Sequence, residues 1–91
     1  MVVIVTYDIK ESRLRRELFL LLKAYGDRVQ RSVFECPLEE KELETLKARI
    51  RRLRLGREDS VLFYPLCRRC TALRDETRTH YRPSQQRTIF V

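Results

Sequence analysis

Glycine occurs only twice in this chain of 91 residues, histidine once and cysteine three times. Two glycines cannot build a phosphate-cradling glycine loop, and neither a P-loop nor a G-x-G-x-x-G pattern is present. His80 has no base or nucleophile partner in its surroundings, so no Ser-His-Asp constellation exists. Long hydrophobic runs are missing as well. Val2 to Val5 and Leu18 to Leu22 fall far short of the roughly 20 residues that a membrane-spanning helix needs. The opening Met-Val-Val-Ile-Val lacks a basic flank and a cleavage site and reads as strand. A cytoplasmic location without membrane association is the expectation.

Positive charge is what the chain has in excess. Twenty Lys and Arg against thirteen Asp and Glu give a formal charge of +7, and Lys stands only at positions 10, 23, 41 and 47. Arg is suited to bidentate phosphate contact and to stacking on bases, so a polyanionic partner is one reading of the surplus. A solvated, heavily charged surface is the other.

At 43% hydrophobic residues the chain carries enough for one packed domain over 1–91, with a core in about 1–70 and a tail with an edge strand in about 71–91. Residues 2–8 are β-branched and aromatic with little alternation, which predicts a central strand buried on both faces. Ser12 stands as a cap before Leu14, Leu18, Leu21, Leu22 and Tyr25, an apolar stripe at helical spacing that Gly26 ends. Residues 27–38 are extended, as one bent strand or two short ones, with Pro37 at the end. A second helix is expected from about Glu39 to Leu55, on Leu43, Leu46, Ile50 and Leu53, with Gly56 as its stop. Its acidic start and basic finish complement the helix dipole and call for no ligand. Ser60 to Leu66 is a further buried strand, and Thr88 to Val91 a short edge strand.

This order gives an α+β fold, a ferredoxin-like βαββαβ sandwich with an additional C-terminal strand. Two helices cover one sheet face only. A domain this small cannot leave the other apolar face wet, so a homodimer is expected, with Ile89 to Val91 crossing to the second copy.

Tyr7-Asp8-Ile9 closing the first strand, Tyr25-Gly26, the block from Arg28 to Cys36 with its Gln30-Arg31-Ser32-Val33-Phe34-Glu35 core, and Asp59-Ser60-Val61 leading to Pro65-Leu66-Cys67 resemble the CRISPR-associated protein two family. The likeness runs through nearly the whole chain in order and spacing. It implies a homodimeric, metal-dependent endonuclease of CRISPR adaptation that cuts single-stranded RNA or double-stranded DNA with Mg2+ or Mn2+. It also implies that the dimer partners the CRISPR integrase on duplex DNA. An architectural, non-catalytic subunit that binds duplex is the alternative. By the same resemblance Asp8 corresponds to the catalytic, metal-binding aspartate, with Tyr7 beside it, and Arg15, Arg28 and Phe34 match positions tied to substrate handling.

Read for chemistry, Asp8 leaves a central strand with its carboxylate able to reach a partner surface. A single carboxylate is a poor Mg2+ site, and a dimer axis close by would supply a second. Capping of the following turn is the other role open to it. Arg13, Arg15, Arg16, Arg28 and Arg31 gather near the two ends of the first helix and could line a phosphate track, a solvated helix face being the other role open to some of them. Phe34 could stack on a base, although a Phe inside Ser-Val-Phe is more often core. Cys67-Arg-Arg-Cys70 offers two soft ligands, too few for zinc without Cys36, His80 or a second copy; a metal site or a functional disulfide is one reading, and two cytosolic thiols at a strand end the other. An RNA-binding sheet with exposed aromatics ranks last, because Phe63 and Tyr64 sit in the expected buried strand.

Overall fold

The computed structural model describes residues 1–73. The elements follow as β1 (Val2–Asp8), α1 (Ser12–Lys23), β2 (Asp27–Gln30), β3 (Val33–Pro37), α2 (Glu40–Arg51), β4 (Ser60–Leu66) and α3 (Arg68–Leu73). The sheet has the order β2-β3-β1-β4, with every neighbouring pair antiparallel. This is the ferredoxin-like βαββαβ arrangement. The expected strand at Thr88 to Val91, and with it the crossing tail, lies outside the described residues. Among the described residues no helix is long and apolar enough to cross a membrane.

The helices and one sheet face make the core. Val3, Val5 and Tyr7 of β1, Phe34 and Cys36 of β3, Leu18 and Leu22 of α1, and Leu43, Leu46 and Ile50 of α2 are all buried in one cluster. Cross-strand partners share a face, so Val5 stands beside Phe34 and Phe63, and Val3 beside Cys36 and Pro65. On the opposite face Ile4 stands beside Tyr64, and Thr6 beside Leu62. Leu62 and Tyr64 are each 50% exposed. The expectation of strands buried on both faces is therefore corrected. β1 alternates buried and half-buried residues, and β4, an edge strand, alternates exposed and half-buried ones. Apolar residues on both faces gave the run its unbroken look, but only one face meets helices.

The extended stretch resolves into two strands. A two-residue turn at Arg31 and Ser32 divides them without glycine or asparagine. The Ser32 carbonyl accepts the Tyr7 N–H at 3.1 Å, so the turn is held by β1 rather than by its own residue types. A bulge between Arg28 and Gln30 lets Arg28 stand opposite Phe34.

Helix limits shift by a few residues. Glu11, not Ser12, occupies the cap position of α1. Helix α2 ends at Arg51 rather than near Leu55. Leu53 and Arg54 donate to carbonyls three residues back, and Arg54 then takes a left-handed conformation with φ of 57°. The stop is thus a non-glycine residue two positions before Gly56. Helix α3 has no clear apolar period in the sequence and was missed within the polar stretch after Cys67.

Gly26 matters for space, not for φ, since no glycine here has a positive φ. A Cβ at Gly26 would collide with the Glu35 carbonyl oxygen and come within 2.7 Å of the Cys36 Cα and Sγ. The chain leaving α1 runs directly against β3, and only glycine allows that approach. We predict that Gly26→Ala destabilises the domain by about 1–3 kcal/mol in urea unfolding, whereas Gly56→Ala, which meets only the Asp59 side chain, changes stability by less.

Candidate functional site

The sequence of β2 and its bulge places Arg28 on the helix side of the sheet, while the spacing of α1 brings Arg15, Phe19 and Lys23 onto one stripe. These two elements and the Arg31–Ser32 turn enclose a cavity of about 320 Å³ lined by Tyr7, Ser12, Arg15, Arg16, Phe19, Arg28, Arg31 and Ser32. Four of the five arginines singled out from the sequence therefore share one cavity. Arg13 does not join them; its guanidinium pairs with Glu11 at 3.7 Å and Glu17 at 3.2 Å on the outer side of α1.

The floor is aromatic. Phe34 is fully buried, with the Phe19 ring edge-on at 5.8 Å and the Tyr7 ring tilted at 6.3 Å between centroids. The Arg28 guanidinium lies 5.3 Å from the Phe19 centroid, and the Lys23 ammonium 5.7 Å from it. Cation–π attraction of this kind is worth roughly 0.5–1 kcal/mol at exposed sites. Phe34 as a base-stacking residue is corrected by this burial: no ring face reaches solvent, and its part is to support Phe19. Phe19 itself was missed, although its i,i+4 spacing from Arg15 and Lys23 was readable.

Arg15 is fixed by donation to the Ile9 carbonyl at 3.4 Å and to Ser12 Oγ at 3.1 Å. Among the described residues, no carboxylate pairs with Arg15, Arg16, Arg28 or Arg31. Four like charges around one cavity without acidic partners among the described residues favour a bound polyanion, and phosphate oxygens suit the guanidinium fork. Burial pushes the Tyr7 phenol above its ordinary range, while the positive charges of Arg28 and Arg15 oppose that rise.

Asp8 stands at the end of β1 and is not among the residues lining this cavity. Its side chain is 70% exposed and pairs loosely with the Lys10 ammonium at 3.7 Å. An exposed pair of that length contributes little, on the order of 0–1 kcal/mol, so the carboxylate is open to other cations. The backbone around it is well anchored. Asp8 lies opposite Ser60, and Asp59 accepts the Lys10 N–H at 2.8 Å and the Gly56 N–H at 2.7 Å. These two bonds hold the Asp59 carboxyl below its ordinary range. They also make Asp59 a positioning residue for the β1 exit that sequence reading did not single out. Among the described residues no group of three or more His, Cys, Asp or Glu side chains gathers as a metal site.

A second cavity of about 570 Å³ lies between α2 and β4, lined by Lys47, Ile50, Arg51, Arg54, Leu55, Asp59, Ser60, Val61 and Phe63. Its cations surround an apolar floor, with Lys47 over the Phe63 ring at 5.4 Å.

Comparison with known proteins bears on this geometry. A family model described as CRISPR associated protein Cas2 matches residues 1–74. A CRISPR-associated endoribonuclease Cas2 of Synechocystis is 44% identical over 63 residues, covering 69% of this chain and 68% of that one. A CRISPR-associated endonuclease Cas2 of Thermus thermophilus is 50% identical over 62 residues, covering 68% and 69%. Among solved structures, Streptococcus pyogenes Cas2 is similar with a TM-score of 0.70 at 34% identity, over 79% of this chain and 93% of that one. A hypothetical protein from Thermus thermophilus is similar with a TM-score of 0.69 at 48% identity, over 72% and 80%.

The electrostatics of Tyr7 give a pH test. A phenol held above its ordinary value of about 10 contributes stability that is complete below that value and is lost as pH rises through the folded one. Tyr7→Phe should therefore remove part of the loss of stability above pH of about 10 while leaving the acid side unchanged. Arg28→Ala, by deleting a positive charge that favours the phenolate, should raise the Tyr7 titration further in a phenolate absorbance titration.

Proposed function

The chain belongs to the CRISPR-associated protein Cas2 family, and on that premise we propose that it is a divalent-metal-dependent endonuclease of CRISPR adaptation, acting in the cytoplasm on single-stranded RNA or duplex DNA. The observation that carries the nucleic-acid part is the cavity with four arginines that lack carboxylate partners among the described residues. These arginines bind phosphate oxygens and fix the register of the strand. Tyr7, under the same arginines, shapes the cavity floor and stays neutral at working pH because burial disfavours its phenolate.

Mg2+ asks for near-octahedral oxygen coordination and commonly takes one or two carboxylates together with water and phosphate. Asp8 fits as one such ligand, being exposed and rigidly placed at a strand end. Among the described residues no group of three or more possible ligands gathers around Asp8, so the second carboxylate would be that of Asp8 in a second copy. A divalent cation held there, Mg2+ or Mn2+, supplies Lewis-acid polarisation of a phosphate and a more acidic water. The residues of this chain do the rest: the arginines hold the phosphates, Asp59 keeps the β1 exit in place, and Phe34 and Phe19 keep the arginines aligned.

A homodimer forms on the open sheet face, where Leu62 and Tyr64 are half exposed in a domain otherwise packed on one side. The same dimer partners the CRISPR integrase. A second reading, an architectural subunit that binds duplex without cutting it, is favoured by one observation: Asp8 does not line the cavity that holds the arginines. Tyr64 also weakens the reason for ranking a sheet-based RNA-binding module last, but it stands among apolar neighbours on a face suited to self-association.

The experiment is cleavage of labelled single-stranded RNA and duplex DNA, with and without Mg2+, by the wild type and Asp8→Ala purified in parallel. Metal-dependent cutting that falls roughly 100-fold or more in Asp8→Ala, about 2.7 kcal/mol of transition-state stabilisation, with binding retained, is the expected outcome. Intact duplex binding without cutting by either protein selects the architectural reading.

A further inference from the structure

Cys67 and Cys70 take no part in the site above. Cys67 directly follows β4, and Cys70 lies within α3. Both thiols are free and exposed, whereas Cys36 is buried in the core. The Cys70 backbone N–H donates to Cys67 Sγ at 3.3 Å, so the first sulfur is turned back over the segment that carries the second. A donor aimed at sulfur favours the charged form. The Cys67 thiol accordingly sits below its ordinary range, through the Cys70 backbone N–H first and the Cys70 side chain next, and the same side-chain contact pushes Cys70 up. The exposed Arg68 and Arg69 lie between them, adding positive charge to the short segment. A sulfur that attacks and a neighbouring thiol that resolves are the two parts of thiol–disulfide exchange.

We propose that Cys67 and Cys70 form a reversible redox site in which Cys67 attacks and Cys70 resolves, with low-molecular-weight disulfides of the glutathione class as the oxidant. In the first step the Cys67 thiolate attacks one sulfur of the small disulfide. That S–S bond breaks, a mixed disulfide forms on Cys67, and one small thiolate leaves. Cys70 then gives up its proton and attacks Cys67 Sγ, breaking the mixed disulfide and releasing the second small thiolate. The protein pair loses two electrons and two protons, and the small disulfide gains them as two thiols. The closed ring fixes the backbone of Arg68 and Arg69 at the exit of β4, whose Leu66 pairs with Val2. Redox state therefore sets how these two arginines are presented.

The test uses the full chain as wild type, Cys67→Ser and Cys70→Ser, with iodoacetamide labelling and oxidised glutathione followed by intact-mass and peptide mass spectrometry. Cys67 should label at neutral pH roughly tenfold faster than Cys70, and Cys36 only after unfolding. Oxidised glutathione should convert the wild type to a species lighter by two hydrogens, reversed by dithiothreitol. Cys70→Ser should hold a stable glutathione adduct on Cys67, and Cys67→Ser should form none. Unchanged thermal unfolding of both variants, whose substituted positions are exposed, separates lost chemistry from lost fold. A wild type that stays reduced, that retains the adduct, or that labels first at Cys70 overturns the proposal.

Discussion

The ring of Phe34 lies wholly inside the domain, between the rings of Tyr7 and Phe19, and joins the central strands to the first helix where the arginines gather. Burying a side chain of this size is worth roughly 1.5–3 kcal/mol, and edge-on and tilted ring contacts add to it. The placement has a second effect. Phe19 is pressed against Phe34 on one side and meets the Arg28 and Lys23 cations on the other. The charged groups are thus aligned by an aromatic stack continuous with the core. Four arginines around one cavity repel one another, and the Phe19 ring under Arg28 offsets part of that repulsion.

A sheet covered on one side divides the molecule's tasks. The helix side carries the core, the aromatic stack and the arginine cavity. The open side carries Ile4, Thr6, Leu62 and Tyr64, a surface that suits a second copy. Asp8 stands at the strand end between these regions, with its exit fixed by the two hydrogen bonds to Asp59. A carboxylate at such a position can be joined by its counterpart when two copies meet. On the proposed reading, phosphate binding and metal binding would then occupy neighbouring rather than identical places.

Four of the elements were readable because each had its own signal: a β-branched run for β1, an apolar and aromatic run for β4, and apolar residues three and four apart for α1 and α2. What could not be read was set by tertiary contact. The turn at Arg31 and Ser32 has no turn residues and depends on the Tyr7 N–H. The end of α2 depends on Arg54 in a left-handed conformation, which no residue preference announces. Gly26 looked like a helix stop and is instead the point where α1's exit touches β3. At the site, the residue types named Arg15, Arg16, Arg28 and Arg31 but could not separate Arg13, which is held by Glu17 one helical turn on and by Glu11 at the helix cap. The core reading of Phe34 prevailed because its strand face was decided by pairing with Val5.

If the arginine cavity is the surface that meets nucleic acid, the salt dependence of binding measures its part most directly. Affinity for single-stranded RNA and for duplex DNA would be determined over a range of salt concentrations for the wild type, for single Ala substitutions at Arg16, Arg28 and Arg31, and for Arg51→Ala and Arg54→Ala in the second cavity. The account predicts that each change in the first cavity weakens binding and lowers the slope of log affinity against log salt by about 1, while the changes in the second leave the slope as it was. Loss of slope at Arg51 and Arg54, with the first cavity's variants binding like the wild type, would contradict it.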